Sequence, residues 1–242
     1  MMRPVVVVPT YNERDNLPDL ASALLRVADL RIVVVDDHSP DGTGEEAERL
    51  ARTSGGRLTV IHRTGARGLG LSYVDGMRAA LQMDATHVCQ MDADFSHDPA
   101  DVPRLLDAAA SADLVIGSRY VPGGSLRDWP AHRIALSAFA NAYVKWITRL
   151  PVHDCTSGFR CWQGELIRRL PLDRVRSDGY AFQVEITWEA YGAGARIVEV
   201  PITFVERRQG QSKMSGRVIV ESALLPWRLI ASRPVRRRGA RL

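Results

Sequence analysis

The sequence predicts an α/β protein built on a mostly parallel sheet flanked by helices. Short β-branched runs alternate with stretches of helical length. The runs are continuously apolar, the pattern of strands covered on both faces. Polar, reactive residues follow the runs directly, and open parallel sheets bind their ligands outside the carboxyl ends of the strands.

Val5–Val8, Ile32–Val35, Leu58–Ile61, His87–Met91 and Leu114–Ile116 read as the buried strands. Asn16–Ala28, Thr43–Thr53, Leu69–Met83 and Pro99–Ala110 read as the helices between them. Asp98 before Pro99 supplies a capping carboxylate and a proline at the first helical position. Such alternation forces parallel pairing, because a helical crossover brings each strand back in the same direction. After Arg119 the pattern changes. The turn Pro122-Gly123-Gly124 leads to an amphipathic helix, Ala131–Leu150. A polar segment, Asp154–Arg160, then precedes a helix at Phe182–Tyr191 and a strand at Arg196–Val205. The expected organisation is one domain over 1–217, with a nucleotide half at about 1–119 and an acceptor half at about 120–217. An amphipathic helix and a basic tail follow over 218–242.

The 242 residues suffice for one sizeable core. Hydrophobic and charged fractions of 45% and 25% exclude a disordered or fibrous chain. The net charge of +4 gathers in the tail, where Arg233, Arg236, Arg237, Arg238 and Arg241 occur without an acid. That tail is either a solvated end or a contact for an anionic surface, lipid or nucleic acid. Cys89, Cys155 and Cys161 show no C-x-x-C spacing and read as buried thiols in a reducing compartment. Val5–Val8 is too short for a signal peptide. Val218–Ala231 is interrupted by Glu221, Pro226 and Arg228, short of the ~20 apolar residues of a membrane span.

Chemistry is concentrated after the strands. In an extended Asp92-Ala93-Asp94, residues two apart face the same way, so both carboxylates can reach one cation. A hard divalent ion accepts one or two carboxylates plus phosphate oxygens, and neutralises a diphosphate as it leaves. Asp36-Asp37 ends the second strand; Asp37 is assigned to a nucleotide and Asp36 to structure, although residues 36–42 read equally well as an Asx-type turn. Arg119 follows the fifth strand. Arg207 and Lys213 flank a small, polar loop that either closes over a diphosphate or is simply solvated.

Pro9-Thr10-Tyr11-Asn12-Glu13, Val35-Asp36-Asp37-His38-Ser39-Pro40-Asp41-Gly42-Thr43 and Met91-Asp92-Ala93-Asp94-Phe95-Ser96-His97 resemble, in order and spacing, the inverting family 2 glycosyltransferases. Gly117-Ser118-Arg119-Tyr120, Asp154-Cys155-Thr156-Ser157-Gly158-Phe159-Arg160, Gly179-Tyr180-Ala181-Phe182-Gln183-Val184-Glu185 and the stretch from Glu199 through Lys213-Met214 narrow the likeness to polyprenyl (dolichyl) phosphate mannose synthases. The resemblance spans about residues 4–216. It implies the GT-A, Rossmann-like fold of nucleotide-diphospho-sugar transferases. It also implies a GDP-mannose donor held at Pro9, Tyr11, Glu13, Val35, Asp37, Asp92, Ala93 and Asp94, with Arg207 and Lys213 on the diphosphate. Asp94, helped by Ser96, would hold Mg²⁺ or Mn²⁺. Arg119, Arg133 and Ser137 fall where the family binds the phosphate of a polyprenyl phosphate acceptor, a chemistry suited to guanidinium groups. Asp92, Asp94 and Arg119 are the expected catalytic residues.

A lipid monophosphate, with a second pKa near ~6, is already an anion and needs no general base. Transfer of glucose or another sugar from a UDP-sugar is the alternative within the family. A phosphatase with an aspartate nucleophile is disfavoured because its acidic pair would follow the first strand. A binding module driven by the basic tail is the non-enzymatic rival. The expected location is the cytoplasm, peripherally on the cytoplasmic face of a membrane, with room for a membrane-anchoring partner protein and no nucleic acid. Phe139, Tyr143, Trp146 and Ile147 in the first long helix, and Trp227 in the last, are either interfacial contacts or ordinary core residues.

Overall fold

The computed structural model of the chain describes residues 2–27, 29–175, 177–206 and 216–232, with side chains of the last segment from residue 223 onward. The first half alternates as expected: β1 (Pro4–Thr10), α1 (Leu17–Leu25), β2 (Arg31–Asp36), α2 (Thr43–Thr53), β3 (Leu58–His62), α3 (Leu69–Gln82) and β4 (His87–Gln90). The next helix opens on a single 3-10 turn, Pro99–Asp101, before α4 (Val102–Ala109). The Asp98 carboxylate accepts the Ala100 N–H at 2.9 Å, the cap its place before proline suggested. Then come β5 (Leu114–Ser118), β6 (Ser125–Arg127), α5 (Ala131–Thr148), β7 (Arg160–Gln163), α6 (Gly164–Arg169), α7 (Gly179–Gly192), β8 (Ile197–Pro201), β9 (Thr203–Val205) and α8 (Gly216–Ser232).

The main sheet runs β3-β2-β1-β4-β7-β5-β8, and only β7 is antiparallel to its neighbours. Alternate residues of a strand point to opposite faces, and the sheet divides its valines accordingly. Val5, Val7, Val33 and Val35 face a core that includes Tyr73 and Met77 of α3, Leu166 of α6, Phe182 of α7 and Leu225 of α8. Val6, Val8, Ile32 and Val34 face Leu17 and Leu20 of α1, Ala47 of α2 and Leu105 of α4. Helix α3 lies tight against the sheet at Gly76, where a Cβ would stand 2.2 Å from Val7 Cγ1.

Two expectations change. The strand expected over Arg196–Val205 is broken at Ile202: β8 extends the main sheet beside β5, while β9 pairs in parallel with β6 in a separate two-stranded sheet. Ile202 makes the transfer, donating its N–H to Ser118 O at 3.0 Å while its carbonyl accepts the Ser125 N–H at 3.0 Å. And the polar segment ending at Arg160 runs directly into β7, which inserts between β4 and β5. The sheet is therefore built from both sides of residue 119.

Candidate active site

Because β7 runs against its neighbours, it begins where they end. The loop before it, residues 154–159, therefore enters the carboxyl edge of the sheet beside the residues that follow β1, β2, β4 and β5.

Asp92 and Asp94 sit past the end of β4 in non-strand backbone, and Phe95 adopts a left-handed φ of 60°. The two carboxylates have different anchors. Asp92 Oδ1 accepts the Tyr73 hydroxyl from α3 at 2.7 Å. A Cβ on Gly158 would stand 3.2 Å from Asp92 Oδ2, so the 154–159 loop closes tightly over it. Burial, and then the charges of Asp92 and Asp94, push the Tyr73 phenol well above its ordinary range and keep it a donor. Asp94 Oδ1 accepts the Ser96 N–H at 3.0 Å and so fixes the loop that carries Ser96. Among the described residues no three His, Cys, Asp or Glu side chains form a metal cage. The donor set instead suits a hard divalent ion held by one carboxylate and a hydroxyl, with phosphate and water completing its shell.

His97 follows. It is 1% exposed, stacked on Phe159 at 5.0 Å and edge-on to Phe204 at 5.2 Å, and neither ring nitrogen has a partner among the described residues. Burial holds its imidazole below the ordinary range.

The expected nucleotide residues gather around β1 and β2. Pro9 and Val35 are partners in register, and the Val35 side chain is wholly buried in the core beneath α3. Arg67 lies over the Tyr11 ring at 4.7 Å. Glu13 accepts Asn16 Nδ2 at 2.7 Å and gives its backbone N–H to Thr43 at 3.0 Å. Asp36 bonds Thr10 and the Ser39 N–H, each at 3.3 Å. Asp37 accepts Arg63 Nη1 at 2.5 Å and the Gly68 N–H at 2.8 Å, and Arg63 Nε reaches Asp75 at 2.8 Å. Arg63 was not anticipated, although the rule that found Arg119, a polar residue just after a strand, applies equally to the end of β3.

Of the expected acceptor residues, Arg119 is the most enclosed. Its backbone N–H and Nε both donate to Asp154 Oδ2, at 2.9 and 2.7 Å. Nη2 donates to Asp154 Oδ1 at 2.6 Å and to Thr156 Oγ1 at 2.8 Å. Burial opposes the charge, but the Asp154 carboxylate more than offsets it and holds the guanidinium above its ordinary range. Arg133 pairs with Glu206 and lies over Trp129 at 4.3 Å. The Ser137 carbonyl accepts Asn141 Nδ2 at 3.0 Å, and the same nitrogen reaches Thr156 Oγ1 at 3.2 Å. Arg119 and the turn of α5 holding Ser137 are thus joined through Thr156 and Asn141.

Arg160, the first residue of β7, is fully buried and braces this loop. Its guanidinium donates to the carbonyls of Cys155, Ser157 and Gln183 and to Thr187 Oγ1, over 2.7–3.0 Å. Burial lowers it to about 10. Arg207 and Lys213, the expected diphosphate contacts, lie outside the described residues, as does the tail from Arg233.

Residues 5–176 match the family described as glycosyl transferase family 2. The chain belongs to that family. It is 47% identical over 222 residues to the polyprenol monophosphomannose synthase of Mycolicibacterium smegmatis, covering 91% of this chain and 84% of that one. It is 44% identical over 225 residues to the undecaprenyl-phosphate mannosyltransferase of Micrococcus luteus, covering 92% of each. Two solved structures share the fold. One is glucosyl-3-phosphoglycerate synthase from Mycobacterium tuberculosis, with a TM-score of 0.66 at 18% identity over 95% of this chain and 78% of that one. The other is a mannosyltransferase from Pyrobaculum calidifontis solved with GDP-Man and Mn²⁺, with a TM-score of 0.57 at 19% identity over 94% and 72%. The mostly parallel sheet flanked by helices is thus the GT-A glycosyltransferase fold.

Proposed function

We propose that this family 2 enzyme transfers mannose from GDP-mannose to polyprenyl phosphate, with inversion at the anomeric carbon. The observation that carries the reading is the adjacency of an acidic and a basic wall. The Phe204 ring touches both sides, meeting His97 of the 92–98 loop at 5.2 Å and the Arg119 guanidinium at 5.3 Å, and Val205 N–H ties β9 to Ser96 O at 3.1 Å. The names of the M. smegmatis and M. luteus relatives support mannose and a polyprenyl phosphate. The manganese and GDP-Man of the P. calidifontis structure support a divalent metal and this nucleotide.

Asp94 and Ser96 would hold the metal, which when bound supplies Lewis-acid neutralisation of the departing diphosphate. The chain's own residues hold and align. Tyr73 keeps Asp92 oriented toward the donor. Asp154 locks the Arg119 fork through Nε and Nη2, and the remaining Nη1 would serve the acceptor phosphate. The acceptor oxyanion is the nucleophile, so alignment and charge suffice without a base.

The lipid would be met at the bilayer surface. None of the described helices is long and apolar enough to cross a membrane. Yet α5 exposes Phe139 and Trp146 at 67% and 74%, and α8 exposes Leu224, Trp227 and Ile230. Tyr143 joins the two helices, accepting Trp227 Nε1 and donating to Ala223 O, both at 2.9 Å. Aromatic residues on such a face suit the headgroup region, and Arg133 on the same helix would then stand at phosphate depth.

The test is radiolabelled GDP-mannose with polyprenyl phosphate and Mg²⁺ or Mn²⁺, comparing wild type with Asp94→Ala and GDP-mannose with UDP-glucose. Labelled lipid and released GDP, both lost in Asp94→Ala, are expected. No GDP release in the presence of acceptor, or a preference for UDP-glucose, overturns the reading.

A further inference from the structure

Arg119 and Arg133 come from different parts of the chain, the end of β5 and the start of α5, yet one aromatic pair underlies both. Phe204 of β9 lies beneath the Arg119 guanidinium at 5.3 Å. Trp129, just before α5, lies beneath that of Arg133 at 4.3 Å. The two rings meet edge to face, with centroids 5.4 Å apart and planes at 85°. Phe204 also meets His97 at 5.2 Å, one residue beyond Ser96.

We infer that Phe204 and Trp129 are positioning residues that set the spacing of Arg119 and Arg133, so that the two cations present one phosphate site. Ring faces attract guanidinium groups, and perpendicular ring pairs have a defined geometry. Each arginine also has an acid partner, Asp154 or Glu206, that fixes its charge locally. Those acids do not link the two arginines to each other, whereas the Phe204–Trp129 contact does. The β8-to-β9 break at Ile202 is what brings Phe204 there, since it turns the chain out of the main sheet and into the pairing Leu126↔Phe204. The inference rests on the reading of Arg119 and Arg133 as the acceptor-phosphate site.

The test measures KM for polyprenyl phosphate and for GDP-mannose, with thermal midpoints, in Phe204→Leu, Phe204→Tyr, Trp129→Leu and Arg133→Ala. Phe204→Leu and Trp129→Leu should each raise the acceptor KM about fivefold, the order expected from a partly exposed cation–π contact. The donor KM should stay within about twofold of wild type, while Phe204→Tyr, which keeps the ring, restores acceptor binding. In the double variant the effects should fall well short of the product, because both substitutions break one link. Should Phe204→Leu not fold, the half-buried Trp129 carries the test. Equal changes in both KM values, or unchanged acceptor KM in folded Trp129→Leu, overturn the inference. Unchanged acceptor KM in Arg133→Ala instead overturns the acceptor-site reading itself.

Discussion

Arg119 and Asp154 meet as a forked pair, Nε to Oδ2 at 2.7 Å and Nη2 to Oδ1 at 2.6 Å, with 3% and 0% of their side chains reaching solvent. Removing one partner of such a pair strands a buried charge, which costs about 3–5 kcal/mol. Asp154→Ala should therefore lower unfolding stability by that order in urea titration. Asp154→Asn, which keeps the volume but not the charge, should lose less stability yet still weaken turnover. A loss below ~1 kcal/mol for Asp154→Ala would place the pair among weak, solvated ones.

Tyr73→Phe removes the hydroxyl that donates to Asp92 and changes little else in the core. Leaving a buried acceptor short of a donor costs about 1–3 kcal/mol. The variant should also lose efficiency toward the donor while its acceptor KM stays unchanged, as steady-state kinetics with each substrate varied will show. A shift confined to the acceptor would contradict the assignment of Asp92.

The exposed face of α5 gives a membrane prediction. Burying one large apolar side chain is worth roughly 1.5–3 kcal/mol, so replacing Phe139 and Trp146 together by Ser should weaken sedimentation with anionic phospholipid vesicles by well over tenfold. Turnover of a short, water-soluble phosphate acceptor should survive. Unchanged vesicle binding would assign these side chains another role.

Burial raises the Cys155 thiol to about 12; the Cys89 hydrogen bond and then burial raise Cys161 well above the thiol range. The thiols should be silent to a disulfide reagent at pH 8 in the native protein and react on denaturation. Unfolded thiols ionise near ~8.5, so between there and about 12 the native state binds more protons. The stability these groups contribute is thus complete below pH ~8.5 and declines as pH rises, and unfolding titrations across that window should show the decline.

Much of the fold is legible without coordinates. Continuous valine and isoleucine runs mark β1 and β2, and the residues directly after the strands mark the candidate site, because strand burial and the ligand edge of a parallel sheet are properties of local pattern. Asp92, Asp94 and Arg119 are found that way. The four-residue β7, carrying Arg160 at its start, has too short a run to show a period. The break at Ile202 is invisible inside an apolar stretch.

What tertiary structure alone decides is which side chains become partners. Arg119 is held by Asp154, 35 residues away, Asp92 by Tyr73, 19 residues earlier, and Asp37 by Arg63, 26 residues later. Those pairings follow from an antiparallel strand placed between β4 and β5, from a glycine that lets α3 approach the sheet, and from the parallel register of β2 and β3. Hydrophobic period records which face of an element is buried. It carries no information about which element comes to lie across from it.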